Sequence, residues 1–252
     1  MRIPILAYHA ILPKEATDVP QVWSARHTVA EEAFRRQLDF MKSSGWLSLL
    51  PEDIATAASM PSRKWFILTF DDGHRSDVTA AAAMNDYGYR GIFYVPCAHV
   101  GCDGFVGTGE IKALVTKGFR IGSHGLTHSH LTSYSDADLK DQLLQSRERL
   151  EDMTGKAVSD LAVPFGRYDR RVIATAISVG YQRIMTSDVG VAKIGRSAVF
   201  PRLPVTAGTT FADFQRLLSL GPLGARLRRL SVSLSRRISV VQKLQPFSQA
   251  RL

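Results

Sequence analysis

The sequence predicts an α/β fold in which seven short strands alternate with helices to form one incomplete or distorted barrel. Runs of β-branched and aromatic residues alternate with helical patterns along the first 210 residues, as in folds built on a parallel sheet. The length of 252 residues suits a single α/β barrel domain, which commonly needs about 250 residues. Polar motifs also follow several predicted strands, at the end where such barrels collect their chemistry.

The individual elements follow from local residue patterns. The predicted strands are Ile3–Tyr8, Trp65–Phe70, Gly91–Val95, Phe119–Ser123, Leu161–Val163, Tyr181–Thr186 and Phe200–Val205. The helical patterns are Ala30–Ser43, Ser76–Tyr87, Gly109–Lys117, Asp136–Thr154 and Arg170–Val179. In the fourth helix, Ser135 is a candidate N-cap, Asp138 completes a capping box, and Gly155 ends the helix.

The composition is that of an ordinary globular protein, with 45% hydrophobic and 22% charged residues. It excludes a disordered chain, collagen, a coiled coil and a disulfide scaffold.

Cys97 and Cys102 are predicted to be reduced thiols, with a local disulfide as the alternative. No apolar run approaches the ~18 residues of a membrane span. The short apolar N-terminus is typical of a first strand rather than a secretory signal, so we expect a cytoplasmic protein.

Most of the net positive charge lies near the C-terminus. Of the total of +9, +7 falls within residues 211–252, where eight basic residues accompany one acidic residue, Asp213. We therefore divide the chain into a barrel over residues 1–210 and a basic tail over residues 211–252. Apolar residues of the tail recur with the helical period, and basic residues flank them or lie opposite. The apolar set is Leu223, Leu227, Leu230, Leu234, Ile238 and Val241.

This basic amphipathic helix has two interpretations. It either docks on the barrel with its charges in solvent, or lies on an anionic membrane surface. The second interpretation would make the protein peripheral to the inner membrane. Nucleic acid is not an expected partner, because no aromatic platform accompanies the basic residues.

Two adjacent carboxylates, Asp71 and Asp72, follow the predicted strand that ends at Phe70. Side chains alternate along an extended backbone, so the two carboxylates point in different directions. One can face a metal while the other faces a substrate. For this segment alone, a simple turn beginning at Asp72-Gly73 is the structural alternative.

Two histidines, His124 and His128, follow the predicted strand that ends at Ser123. We expect them to meet on one face of a helical turn, which suits a shared metal ion. With Asp72 they supply two nitrogens and one oxygen, and such a three-ligand set leaves a position open for water, as in catalytic zinc sites. Zinc is the default ion, and nickel or cobalt would suit the same ligands. His130 is interpreted as a neighbouring or surface residue.

A third motif, Val163-Pro164-Phe165-Gly166, follows the predicted strand at Leu161–Val163. It is either a simple strand-to-helix turn or a site where the Phe165 backbone N–H stabilises a developing oxyanion.

Taken together and in this order, the three motifs resemble those of the polysaccharide deacetylase family, also called the NodB-homology domain or carbohydrate esterase family 4. The resemblance extends over roughly Ile3 to Val205. It implies a distorted (β/α)7 barrel and metal-dependent hydrolysis of N-acetyl groups on amino sugars. By position, Asp71 corresponds to the catalytic base, and Asp72, His124 and His128 correspond to the metal ligands.

The sequence departs from the family pattern at two places near the expected base. Ala162 stands where the family often has an arginine, two residues before the proline of the third motif. The later Asp-Trp motif that partners this arginine is also missing, around residues 186–189. The group that orients Asp71 is therefore not identified from the sequence.

The general acid also departs from the common pattern. The family usually takes it from a histidine in a late strand, but no histidine follows His130. One branch, which resembles exopolysaccharide deacetylases, carries a Tyr-His pair at the end of the first strand, and Tyr8-His9 fits that branch. First and last strands are neighbours in a closed barrel, so His9 is interpreted as the acid, with a buried core histidine as the alternative.

The resemblance implies the following function. A metal on its three ligands acidifies a water, Asp71 removes the proton during attack, the Phe165 N–H stabilises the oxyanion, and His9 protonates the leaving amine. The expected substrate is an N-acetylated glycan or a lipid-linked glycan precursor, and acetate is released. Two alternatives stay open: hydrolysis of cyclic amides or imides on the same barrel, and a non-catalytic glycan-binding module.

Overall fold

The computed structural model describes residues 1–13, 25–195 and 197–219, over which strands and helices alternate. The strands are β1 (Arg2–Ile3), β2 (Ile5–Tyr8), β3 (Ala10–Leu12), β4 (Thr28–Ala30), β5 (Trp46–Ser48), β6 (Lys64–Phe70), β7 (Gly91–Val95), β8 (Arg120–Ser123), β9 (Asp160–Ala162), β10 (Arg183–Val189), β11 (Ala192–Lys193) and β12 (Val199–Pro204). The helices are α1 (Glu31–Ser43), α2 (Ile54–Ser59), α3 (Asp77–Asp86), α4 (Thr108–Thr116), α5 (Asp136–Thr154), α6 (Arg170–Ser178) and α7 (Phe211–Ser219).

Seven parallel strands close into a barrel within the described part of the chain. Their order around the ring is β2, β6, β7, β8, β9, β10 and β12, and β12 pairs with β2 to complete the closure. Strand β5 pairs with the first residues of β6, ahead of the residues that pair with β2. The ring confirms the predicted distorted (β/α)7 barrel and places the first and last barrel strands side by side.

Alternate residues of each barrel strand face opposite sides, as an extended backbone requires. On β6, Phe66, Leu68 and Phe70 join the large hydrophobic cluster between the barrel and its helices. Ile67 belongs instead to a smaller cluster inside the barrel. The inner series of β6 continues into the buried Asp71, so the end of the barrel interior at the C-terminal ends of the strands is polar.

The surrounding helices cover the barrel with one apolar face each. Helix α1 buries Phe34 and Leu38 completely. The longest helix, α5, begins as expected at Ser135, whose hydroxyl accepts the backbone N–H of Asp138 at 3.2 Å. It ends at Gly155, whose φ of 63° is the left-handed conformation that glycine adopts most readily.

The last described helix, α7, packs against α1. Phe214 is fully buried, and the rings of Phe211 and Phe40 meet edge to face with centroids 5.8 Å apart. The Arg36 guanidinium lies 4.1 Å from the centre of the Phe211 ring. Residues 211–219, assigned to the tail from the sequence, therefore pack on the barrel. The basic amphipathic helix predicted further along lies outside the described residues.

Each predicted strand corresponds to one strand of the barrel, and each predicted helix is present with ends shifted by at most a few residues. The prediction merged β1 with β2, which Pro4 separates, and missed the short strands β3, β4, β5 and β11 and the helices α2 and α7. Strands of two or three residues are too short to show a periodic pattern.

The structure also bears on two predictions made from composition. Cys97 and Cys102 are both free thiols, so the alternative of a local disulfide is wrong. Among the helices of residues 1–13, 25–195 and 197–219, none has the length and apolar character that crossing a bilayer requires.

Candidate active site

The residues predicted to carry chemistry gather at one mouth of the barrel. Asp71 and Asp72 follow β6, His9 follows β2 and His124 follows β8. Strands β2 and β6 are neighbours, and the Asp71 N–H donates to the carbonyl of Tyr8 at 3.0 Å. Because all the barrel strands are parallel, their C-terminal ends open on the same face.

Asp72, His124 and His128 converge as one group of potential metal ligands. Oδ1 of Asp72 lies 3.2 Å from Nε2 of His124 and 3.1 Å from Nε2 of His128. Ligand atoms at about 2.0–2.2 Å from a tetrahedral zinc ion are separated from one another by about 3.3 Å. The spacing of the three side chains therefore fits a small divalent cation.

Hydrogen bonding supports the same conclusion. Nδ1 of His124 lies 2.7 Å from the carbonyl oxygen of Ala162, which can only accept, so Nδ1 carries a proton. In the neutral ring the lone pair of Nε2 then faces the Asp72 carboxylate, so a proton or a metal ion must lie between these two acceptors. Imidazole and carboxylate ligands both suit zinc, and a second bond that fixes the tautomer is typical of metal-binding histidine.

The close contact between Asp72 and the two histidines also shifts the pKa of Asp72 and that of His124. Burial lowers the pKa of His124, but its hydrogen bond to Asp72 and the negative charges of Asp71 and Asp72 outweigh burial and raise it. Burial raises the pKa of Asp72, but the two histidines outweigh that effect and hold it well below its usual value. The group therefore attracts positive charge, as a proton or as a metal ion.

The expectation that His124 and His128 share a face of a helical turn is wrong. The segment is an irregular loop, in which Gly125 and His128 have φ angles of 78° and 53°. The loop is held by backbone bonds from His124 N–H to the Val95 carbonyl and from Cys97 N–H to the Gly125 carbonyl, at 3.0 and 3.2 Å. Left-handed bends, rather than helical periodicity, bring the two imidazoles together.

Asp71 is held by an arginine that the sequence analysis missed. Nη1 and Nη2 of Arg202 donate to Oδ1 and Oδ2 of Asp71 at 2.7 and 2.6 Å. Both side chains are buried, and Nε of Arg202 also donates to the Thr186 carbonyl at 3.1 Å. Burial raises the pKa of Asp71, but the Arg202 guanidinium outweighs this effect and keeps the pKa below its usual value. The carboxylate is therefore ionised and fixed in orientation.

A sequence signal for Arg202 was available. It lies within β12, and strands of closed parallel barrels are nearly continuous in apolar residues. A lone arginine in such a strand requires a buried acidic partner. Ala162 is also fully buried, and it leaves the interior free of the arginine that the family often carries at that position.

His9 stacks against a second histidine that the sequence analysis did not single out. The rings of His9 and His27 are almost parallel, at 9°, with centroids 4.4 Å apart. Nδ1 of His9 is buried and has no hydrogen-bond partner among the described residues. Burial lowers the pKa of His9, opposed by the nearby charges of Asp71 and Asp72. No pattern in the sequence marked His27, which lies in a connecting segment.

Phe165 occupies a tight turn after β9 and borders the ligand group. Its backbone has a φ of 58°, and the next N–H, of Gly166, donates to the Val163 carbonyl at 3.0 Å. The phenyl ring is 54% exposed, and its centroid lies 4.7 Å from the ring of His128 and 4.3 Å from that of His130. His130 packs beside Phe165 and does not join the ligand group. The oxyanion role of the Phe165 N–H stays a prediction.

The chain is similar in sequence to proteins of known family. YxkH of Bacillus subtilis (strain 168), named as a polysaccharide deacetylase, is 23% identical over 195 residues, which are 76% of this chain and 66% of YxkH. The peptidoglycan-N-acetylglucosamine deacetylase PgdA of Listeria monocytogenes is 24% identical over 164 residues, 64% of this chain and 33% of PgdA. The chain thus spans about two-thirds of one relative and one-third of the other.

The fold also matches solved structures. The deacetylase PplD of Streptococcus pyogenes, solved with acetate, superposes with a TM-score of 0.78 at 22% identity, over 87% of this chain and 99% of PplD. The family model described as polysaccharide deacetylase matches residues 58–184, which is half of the chain and includes Asp71, Asp72, His124 and His128. The chain belongs to the polysaccharide deacetylase family.

Proposed function

We propose that this protein hydrolyses the N-acetyl group of an amino sugar in a glycan, releasing acetate and a free amine. One observation carries the proposal: a group of three metal ligands lies beside a separate carboxylate, Asp71, which a buried arginine keeps ionised. Family membership and the peptidoglycan-N-acetylglucosamine substrate in the name of PgdA support the substrate class.

Asp72, His124 and His128 would hold a divalent cation, with zinc as the default and nickel or cobalt as alternatives for the same ligands. When bound, such a cation supplies a Lewis acid that polarises the acetyl carbonyl and lowers the pKa of water. The three side chains leave a coordination position open for these partners.

Asp71 would accept the proton of the attacking water. Arg202 occupies one acceptor site on each carboxylate oxygen, and each oxygen keeps another lone pair for that proton. Since both partners are buried, the carboxylate is fixed by the pair and needs no reorganisation as the proton moves.

His9 and Phe165 would complete the reaction. The Phe165 backbone N–H would donate to the carbonyl oxygen as its negative charge develops. His9 would donate a proton to the departing nitrogen, because an amide anion is too basic to leave unaided. Burial lowers the pKa of His9, so its protonated form is a stronger acid there than in water.

The exposed Phe165 ring would contribute to substrate binding. It lies beside His128 and offers a flat apolar surface at the rim of the ligand group. Sites for small polar molecules commonly combine such an aromatic surface with a few fixed polar groups. We propose that one face of a sugar ring packs on Phe165 while its acetamide reaches the polar end of the barrel.

The test is acetate release from N-acetylglucosamine oligomers by the full chain, with metal content measured in parallel. Removal of metal by a chelator should abolish release, and added zinc should restore it. Asp72→Ala should lose both metal and turnover, whereas Asp71→Asn should keep the metal and lose turnover. Full activity of metal-free Asp72→Ala would contradict the assignment of the ligands.

The same assay separates the two alternatives. Hydrolysis of hydantoin-like cyclic amides without acetate release from the oligomers would favour the cyclic-amide hydrolase. Stoichiometric metal with no hydrolysis of any acetamide would favour a glycan-binding module. The ionised Asp71 beside the ligand group argues against the binding module, because a binding protein has no use for a base there.

The composition of the basic tail adds an anionic membrane surface to the proposed partners. Its charge and apolar period are typical of helices that lie on anionic lipid. We propose that it brings the barrel to a lipid-linked glycan precursor at a membrane surface.

A further inference from the structure

Three side-chain hydroxyl groups form a hydrogen-bonded chain on the outer side of β8. They lie next to the metal-ligand loop, which runs from His124 to His128. The Ser123 hydroxyl is hydrogen-bonded to the Ser146 hydroxyl, and Oγ of Ser146 lies 3.1 Å from the Tyr181 hydroxyl. Ser123 and Ser146 are completely buried, and Tyr181 is 1% exposed. Helix α5 carries Ser146, and Tyr181 lies just ahead of β10.

The direction of each bond among these three hydroxyl groups is fixed by the bond that Tyr181 donates. At one end the backbone N–H of Gly125 donates to Oγ of Ser123 at 3.0 Å, and at the other the Tyr181 hydroxyl donates to the Leu143 carbonyl at 3.1 Å. An N–H can only donate, a carbonyl can only accept, and each hydroxyl has one proton. Ser123 must therefore donate to Ser146, and Ser146 to Tyr181.

The chain of hydroxyl groups connects the metal-ligand loop to helix α5. Gly125 and Ser123 flank His124 in the sequence, so both neighbours of this ligand are tied to the same network. The Ser146 carbonyl also accepts the Cys97 thiol at 3.1 Å, next to the segment whose backbone pairs with the loop. Burial excludes water, so no solvent molecule replaces a missing member of the chain without rearrangement.

We propose that Ser146 and Tyr181 are positioning residues, which hold the Ser123–Gly125 segment so that Nε2 of His124 faces Asp72 and His128. The inference rests on the metal centre of the proposed function. Without Ser146, the Ser123 hydroxyl loses its hydrogen-bond partner on α5, and the left-handed bend at Gly125 loses its link to that helix. The imidazole keeps its bond to the Ala162 carbonyl, and its backbone keeps the bond to the Val95 carbonyl, but the bend beside it is held by fewer contacts.

The experiment measures zinc affinity of the full chain by competition with a chromophoric chelator. Ser146→Ala and Tyr181→Phe should each weaken zinc binding by about tenfold, the lower end of effects seen for groups that support metal ligands. Activity of both variants should recover at saturating zinc, because the catalytic groups themselves are unchanged.

Tyr89→Phe is a matched control. The Tyr89 hydroxyl also donates to a backbone carbonyl at 3.1 Å, that of Trp46, and the residue is 2% exposed. It lies ahead of β7, at the opposite end of the barrel, so its loss should lower stability without changing zinc affinity. Melting temperatures of all variants report that stability loss separately.

The outcomes separate the inference from the function. Zinc affinity within twofold of wild type in both variants would overturn the positioning role. If Ser146→Ala does not fold, Tyr181→Phe decides alone, because it keeps the buried ring. A wild-type chain that binds no zinc, nickel or cobalt would instead contradict the metal centre of the proposed function.

Discussion

Asp72, His128 and Phe165 have backbone conformations that most residues avoid. They are the non-glycine residues with positive φ in the described part of the chain, at 81°, 53° and 58°. Each such conformation costs of the order of 1–2 kcal/mol and persists only where surrounding contacts enforce it. All three lie at the candidate active site, so the strain is confined to the residues whose direction the proposed chemistry requires.

At the residue scale, the sharpest prediction concerns Arg202. Arg202→Lys keeps the charge but cannot make the two-pronged contact with Asp71. We expect kcat/KM for acetate release to fall by about 100-fold, the usual effect of misplacing a catalytic group by about 1 Å. Arg202→Ala should also lower the free energy of unfolding by about 3–5 kcal/mol, because it leaves a buried carboxylate unpaired.

Arg183→Lys is the matched control for Arg202→Lys. Arg183 makes a similar two-pronged contact with Asp160, at 2.6 and 3.0 Å, but at the opposite end of the barrel. This variant should lose stability and keep kcat/KM within about threefold of wild type. Equal activity losses in the two lysine variants would show that Arg202 acts through general stability alone.

The protonation state of His9 should determine how kcat/KM depends on pH. Burial holds the pKa of His9 below its ordinary value of about 6.5, and a general acid works only while protonated. We therefore expect kcat/KM to fall by about tenfold per pH unit above that pKa. In His9→Gln the rate should be low and this alkaline fall should vanish. An unchanged alkaline slope in that variant would assign the fall to another group.

Phe165 should affect substrate binding more than chemistry. Phe165→Ala keeps the backbone N–H but removes the exposed ring, so we expect KM for N-acetylglucosamine oligomers to rise about fivefold with kcat little changed. Ile177→Ala is the control, because Ile177 is 50% exposed but lies on α6. A large fall in kcat with unchanged KM would contradict the packing role.

At the scale of elements, the turn after β9 depends on Gly166. Its φ is 64°, and a Cβ there would lie 2.2 Å from Cβ of Ser187 on β10. Gly166→Ala should therefore displace the Phe165 N–H, reducing kcat by about tenfold or more and lowering stability. Urea unfolding and steady-state kinetics measure the two effects.

Gly155→Ala isolates the cost of the backbone conformation. Gly155 has nearly the same φ, 63°, at the end of α5, and a Cβ there would meet no atom within 4 Å. This substitution should cost only about 1 kcal/mol of stability and leave kcat unchanged. If the two alanine variants behave alike, contact with Ser187 does not hold the turn.

The elements also show what the sequence could predict. The seven barrel strands and the long helix Asp136–Thr154 were predictable because apolar periodicity and capping residues are local. The irregular loop at His124–His128 was not predictable, because a left-handed bend at a histidine has no composition signature. Arg202 was missed for a different reason: its partner Asp71 is 131 positions away, and only barrel closure makes them neighbours.

At the scale of the whole molecule, the charge distribution predicts membrane binding by the tail. In liposome flotation, the full chain should float with vesicles that contain anionic lipid, and a chain ending at Gly221 should stay in the soluble fraction. The attraction should weaken at high salt, because it depends on screened charges. Equal recovery of both forms in the soluble fraction would favour a tail docked on the barrel.

The closed ring of strands also has a consequence for biosynthesis. A nascent polypeptide that has emerged from the ribosome only as far as residue 184 contains both aspartates and both ligand histidines, but not Arg202 or β12. Until that strand enters between β10 and β2, the Asp71 carboxylate has no guanidinium beside it. Competence for hydrolysis should therefore arise only after β12 has been synthesised, well after the recognisable motifs.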